Sequence, residues 1–149
     1  MKWSSSRKAV APIVRFDLPT PDDETQPFYD GAAGGKLLIK LCGACGEHHF
    51  YPRPFCPTCW SDEVTWVEAS GAASLYTYSV VHRNDLPPFP ERVPYVAAIV
   101  QLAEGPRMET NIVDADPDTL EVGMALEVTF RAHTDELVLP FFTPATSGT

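Results

Sequence analysis

Two pairs of cysteines carry the clearest chemistry in this 149-residue chain. Cys42-Gly43-Ala44-Cys45 and Cys56-Pro57-Thr58-Cys59 hold all four of its cysteines, with ten residues between the pairs. A two-residue spacer lets both sulfurs of a pair turn toward one ion. Four thiolates are a tetrahedral set that Zn²⁺ takes at about 2.3 Å. Gly43 and Gly46 give the backbone the freedom that a tight knuckle needs. The gap is enough for two short strands and a reversal, which would bring the second pair opposite the first. A redox pair would instead need one C-x-x-C in a βαβ setting. Structural disulfides would need an oxidising compartment. Lys2, Arg7 and Lys8 precede no apolar h-region, so no export signal is expected and the expected location is cytoplasmic. An iron site of the same geometry is the remaining alternative. The reading adopted is a structural Zn²⁺ bound by Cys42, Cys45, Cys56 and Cys59. Four thiolates leave no open coordination position, so the metal is expected to hold its ribbon together and not to catalyse.

Other reactive groups are scattered. His48 and His49 follow the first knuckle and are expected on the ribbon surface or in a strand, since the cysteines already satisfy the ion. His82, Arg83 and Asp85 are expected at a solvated strand end. His133 is expected to be exposed beside Asp135. No Gly-x-Ser-x-Gly, Walker, Gly-x-Gly-x-x-Gly or His-Glu-x-x-His motif occurs. A self-sufficient active site is not visible. Residues 84–94 differ: Leu86-Pro87-Pro88-Phe89-Pro90 is apolar and stiffened by proline, and Arg92 follows it. Either Leu86 and Phe89 fold back over the body, or Leu86, Pro87, Pro88, Phe89 and Arg92 form a preorganised docking or channel-lining surface. Both readings stay open. Trp60 and Trp66 are expected to pack the two modules together.

These residues must be positioned by mainly β structure. Residues 1–19 read as a flexible arm or linker, and 20–66 as a short helix followed by the ribbon. Thr20 or Thr25 would cap the helix, and Gly34-Gly35 would stop it. Residues 36–41 read as a strand entering the first knuckle, and His49-Phe50-Tyr51 as its return. Residues 67–143 read as five short strands closing a small barrel. Residues 95–102 are almost continuously apolar, as in a strand buried on both faces. Residues 107–113 form its hairpin partner. Leu126, Val128 and Phe130 alternate with polar residues, the period of a half-buried strand. Pro140 demotes the last strand to an edge or a bulge. Residues 144–149 read as a tail.

Charge excludes a large class of partners. The chain carries −9, and four of its eleven bases lie in the first fifteen residues. Residues 16–149 hold seven bases against twenty acids, a net of −13. Nucleic-acid affinity comes mainly from Lys and Arg displacing counterions around phosphate. This body repels a phosphate backbone. No apolar run approaches the roughly 20 residues of a membrane span.

Phe28-Tyr29-Asp30, the ribbon between Cys42 and Cys59, and Gly71 ahead of Tyr76 together resemble the DUF35 family. So do Pro94-Tyr95-Val96-Ala97-Ala98-Ile99-Val100, Gly123-Met124 and Leu139-Pro140-Phe141. The resemblance covers about residues 20–143. It implies a rubredoxin-like zinc ribbon joined to a five-stranded OB-fold barrel. It also implies a non-catalytic subunit that binds a thiolase-superfamily protein and helps form its acyl-CoA channel. The favoured chemistry of the complex is retro-aldol cleavage of a sterol side-chain acyl-CoA, with a MaoC-like hydratase fused or associated at the N-terminus. Arg53 and Arg83 would be local contacts for CoA phosphates. The alternatives are acetyl transfer beside a thiolase or hydroxymethylglutaryl-CoA synthase, and a stand-alone acyl-CoA-binding module. A third, a single-stranded nucleic-acid binder of the OB type, is opposed by the charge.

Overall fold

The computed structural model describes residues 16–146. Most of the expected arm, residues 1–15, and the end of the tail lie outside the described residues. One α-helix precedes two β units. Helix α1 spans Gln26–Ala33. Thr25 is the N-cap, one of the two expected threonines, but its hydroxyl bonds Asp22 instead of the helix: it donates to the Asp22 carboxylate at 3.0 Å, and that carboxylate also accepts from the backbone N–H groups of Glu24 and Thr25 at 3.0 and 2.9 Å. Those N–H groups, led by that of Thr25, hold the Asp22 carboxyl below the usual carboxylate range. Gly34 ends the helix as expected. Gly31 inside it has a packing reason: a Cβ there would lie 2.7 Å from Leu38 Cγ.

The first unit is a three-stranded antiparallel sheet in the order β2-β1-β3. Its strands are β1 (Leu38–Cys42), β2 (His48–His49) and β3 (Val64–Glu68). The expected return strand is shorter than the sequence suggested, because only His48 and His49 pair with β1. The gap between the knuckles therefore holds one strand of two residues, not two strands. The longer partner of β1 is β3, which pairs with it from Leu38 to Cys42.

The second unit is a closed barrel in the order β4-β5-β6-β8-β7. Its strands are β4 (Ala72–Val81), β5 (Tyr95–Leu102), β6 (Arg107–Ile112), β7 (Ala125–Thr134) and β8 (Leu137–Pro144). All neighbours are antiparallel except β6 and β8, which are parallel. Strand β5 corrects one expectation. Only its alternate residues, Val96, Ala98, Val100 and Leu102, are buried. A single-layer barrel has an inside and an outside, so its apolar run reflects small and β-branched residues on both faces, not two-sided burial. Pro140 sits inside β8 opposite Phe130. Across β8 the only partner is the Ile112–Phe142 bridge, so the proline occupies a locally unpaired edge.

Helix and both units share one core. Phe28, Leu37 and Ile39 join Leu75, Val100, Leu102, Leu126 and Phe142. Helix α1 lies against both β1 and β8. Among the described residues no helix is long and apolar enough to cross a membrane. Barrel closure depends on Gly71, whose φ is +86° and whose carbonyl accepts from Val128 N–H at 2.9 Å. A Cβ at that position would lie 2.6 Å from Val128 Cγ1. Gly71→Ala is therefore expected to lower the unfolding free energy by roughly 1–3 kcal/mol, because it adds left-handed strain to a clash at the closing seam. Urea denaturation measures this, and an unchanged midpoint would contradict it.

Candidate metal centre and outer-face cleft

The two knuckles meet face to face. Cys42 Sγ lies 3.6 Å from Cys59 Sγ, and Cys45 Sγ lies 3.6 Å from Cys56 Sγ. All four sulfurs fall within 4.8 Å of one another. A tetrahedral ion with bonds of about 2.3 Å sets its sulfurs about 3.8 Å apart. The cluster thus matches a tetrathiolate metal and is too wide for a disulfide, whose S–S bond is about 2.05 Å. Backbone donors complete each knuckle. Ala44 and Cys45 N–H point at Cys42 Sγ from 3.3 and 3.4 Å, and Thr58 N–H points at Cys56 Sγ from 3.3 Å. The four thiols split: the N–H of Cys59, helped by that of Thr58, pulls Cys56 down to about 6 and the N–H of Cys45 lowers Cys42, while Cys45 and Cys59 are raised. These donors favour the thiolate, which is the form that binds metal. The site fits structural zinc, and Cys42, Cys45, Cys56 and Cys59 would hold it.

Each knuckle ends in the left-handed conformation. Gly46, at φ +80°, donates to Cys42 O, and Trp60, at φ +68°, donates to Cys56 O. Trp60 does not join the modules: it is 73% exposed and stacks on Phe55, with ring centroids 5.2 Å apart. Trp66 does pack toward the core, under the ammonium of buried Lys40, whose charge is paired with Glu24 at 3.4 Å. His49 is buried and has no hydrogen-bond partner among the described residues. Burial, reinforced by Lys40 and Arg53, pushes its pKa below the usual imidazole range, so it stays neutral.

A second feature lies on the outer face of the barrel, beneath the proline loop. A cleft of about 510 Å³ is lined by Phe89, Val113, Leu139 and Phe141, with Arg92, Arg131 and His133 among its polar groups. Arg131 is paired with Asp114. His133 overturns the expectation of an exposed residue beside Asp135. Its side chain is only 10% exposed and contacts the Asp17 carboxylate. The proline loop divides between the two readings left open above. Phe89 turns inward onto Tyr95 and the Arg92 guanidinium, whereas Leu86 is 49% exposed. Pro87 and Pro88 between them are partly buried. Arg53 and Arg83 do not line the cleft. Arg53 lies over the Tyr51 ring, and Arg83 pairs with Asp85 in solvent, where His82 is also exposed. The Asp17–His133 contact spans 116 residues, so no local pattern could reveal it.

Comparison with known proteins agrees with this geometry. Residues 30–65 match the ChsH2 rubredoxin-like zinc ribbon domain, and residues 66–131 match the ChsH2 C-terminal OB-fold domain. A solved structure described as an Ltp2-ChsH2(DUF35) aldolase superposes with a TM-score of 0.78 at 36% identity, covering 87% of this chain and all of that one. The chain belongs to the DUF35 family. A DUF35 domain-containing scaffold protein of Methanocaldococcus jannaschii is 41% identical over 64% of this chain and 67% of its own length. A protein of Thermomonospora curvata named "Probable enoyl-CoA hydratase alpha subunit" is 39% identical over 79% of this chain. A 3-oxo-4,17-pregnadiene-20-carboxyl-CoA hydratase alpha subunit of Mycobacterium tuberculosis is 31% identical over 75%. The DUF35 chain spans only about a third of the length of these two subunits, 36% and 35%.

The metal reading has a direct check. Purified protein is expected to carry one zinc per chain. Cys56→Ser or a strong chelator should remove it, unfold the ribbon and leave most of the barrel's β signal in circular dichroism. Because the ligands must be deprotonated, zinc should also be released as pH falls, not as it rises. Full metal content in Cys56→Ser would show that the site is misassigned.

Proposed function

We propose that this DUF35 chain is a non-catalytic subunit that docks on a thiolase-fold enzyme and helps form its acyl-CoA channel. The observation that carries this reading is the end-to-end likeness to the DUF35 chain of the Ltp2-ChsH2 aldolase. The chemistry of the chain agrees. Its tetrathiolate cage has no open position for substrate, and its cysteines are assigned to that cage. The net charge of −13 over residues 16–149 cannot draw a CoA nucleotide from a distance. The partner therefore supplies the acid/base groups and most phosphate contacts, and exposed Arg53 and Arg83 add local ones. A cage of reduced cysteines fits a reducing compartment such as the cytoplasm.

The reaction proposed for the complex is retro-aldol cleavage of a β-hydroxy acyl-CoA with a sterol-type side chain. The aldolase likeness and the pregnadiene-carboxyl-CoA name of the M. tuberculosis relative support it. The greater length of the hydratase relatives supports a MaoC-like hydratase domain, fused or associated, ahead of this unit. The scaffold name of the M. jannaschii relative favours a second reading, in which the same surface serves an acetyl-transferring thiolase pair.

The test is reconstitution. The chain is mixed with thiolase-fold proteins from the same genome, complexes are isolated by size exclusion, and cleavage of β-hydroxy acyl-CoA thioesters is assayed. The expected result is a stable hetero-oligomer, with cleavage only when both proteins are present. Failure to bind any thiolase-fold protein, or turnover by the isolated chain, would overturn the reading.

A further inference from the structure

Two residues ahead of the helix stitch the proline loop to the outer face of strand β7. Phe16 N–H donates to the carbonyl of Pro87 at 3.0 Å. Next to it, the Asp17 carboxylate is only 3% exposed, and Arg92 Nη2 donates to it from 3.0 Å. The same carboxylate oxygen meets His133 Nε2 from strand β7. The β7–β8 register shifts between Ala132 and Thr134, so His133 is the bulge residue. A bulge re-aims the side chain it carries. The imidazole shares the cleft with Arg131 and meets the Asp17 carboxylate there.

The loop needs such a fastening. Between β4 and β5 its regular structure is one 3-10 turn, Phe89–Glu91. Within the loop, Asn84 Nδ2 donates to Tyr95 Oη at 3.0 Å, and Phe89 leans on the Tyr95 ring. Both contacts join the loop only to Tyr95 at the start of β5, whereas Asp17 ties it to β7. A buried carboxylate is costly unless it stays hydrogen-bonded to charged partners, so Arg92 is held firmly in place. With Arg92 fixed and Phe89 turned inward beneath its guanidinium, Leu86 is left projecting in one arrangement.

We infer that Asp17 is a positioning residue: acting through Arg92, it locks the proline loop to β7 and so preorganises the surface that presents Leu86. A loop already ordered before docking loses less entropy when a partner binds. The locking stands on this chain alone. Only its benefit for docking rests on the function proposed above.

The test is amide hydrogen exchange on the full zinc-loaded chain, comparing wild type with Asp17→Asn, Arg92→Gln and the double variant. Asp17→Asn keeps the shape and removes the charge. Amides of residues 84–92 are expected to exchange roughly tenfold faster or more, while β1, β3 and zinc content stay as in wild type. Arg92→Gln should reproduce this pattern, and the double variant should add little to either single change, because all three break one link. The measurement needs no partner, so it stands or falls separately from the proposed function. Unchanged loop exchange in both single variants would overturn the inference. Faster exchange spread evenly over the barrel would also overturn it, since that marks general destabilisation. So would additive effects in the double variant.

Discussion

Four sulfurs must share one ion for this fold to hold its first half. Between Cys42 and Val64 the only regular structure is a strand of two residues, and Pro52 and Cys56 are among the few buried side chains there. Burying one aliphatic side chain contributes about 1.5–3 kcal/mol, which a few such residues cannot raise above the entropy of ordering the segment. A structural Zn²⁺ contributes about 10–16 kcal/mol in comparable small folds. The ion decides. Once the knuckles are closed, β1 is free to pair with β3, and Leu37 and Ile39 enter the core shared with the barrel. The ribbon is thus fastened from below by packing and from above by metal.

That arrangement leaves the molecule's metal with no open position for a reactant. Its strongest electrophile would be saturated by thiolate. Three charged groups of the outer-face cleft are committed to carboxylates, Arg92 and His133 to Asp17 and Arg131 to Asp114. A barrel closed at Gly71 and braced by an apolar core offers a stiff support for loops. The proline loop exploits this support, with Phe89 as its anchor and Leu86 as its exposed tip. The acidic body opposes nucleic acid, a ligand often associated with this barrel shape, so the fold alone does not fix the use.

How much of this was legible in the sequence depends on range. The C-x-x-C pairs specify their own geometry within four residues, so the cage could be read directly. Period-two alternation exposed β7, and proline and glycine punctuation bounded the other barrel strands. The misreadings have physical causes. Residues 95–102 look buried on both faces because barrel strands tolerate apolar residues outside. The expected return strand is too long because Phe50 and Tyr51 have high β propensity, yet pairing stops at His49 although β1 runs on to Leu38, and Pro52 follows directly. Residue type places Trp60 between the two modules, yet its left-handed backbone at the knuckle turns it onto Phe55 and into solvent. His133 was misplaced because its carboxylate partner precedes the helix and is brought near only by the closed barrel.

X-ray absorption at the zinc edge of the purified chain tests the central claim most directly, because it reads the ligand atoms without perturbing them. The account predicts a single shell of four sulfurs at about 2.3 Å. A shell containing nitrogen or oxygen, or a protein that folds its ribbon with no metal at all, would contradict it.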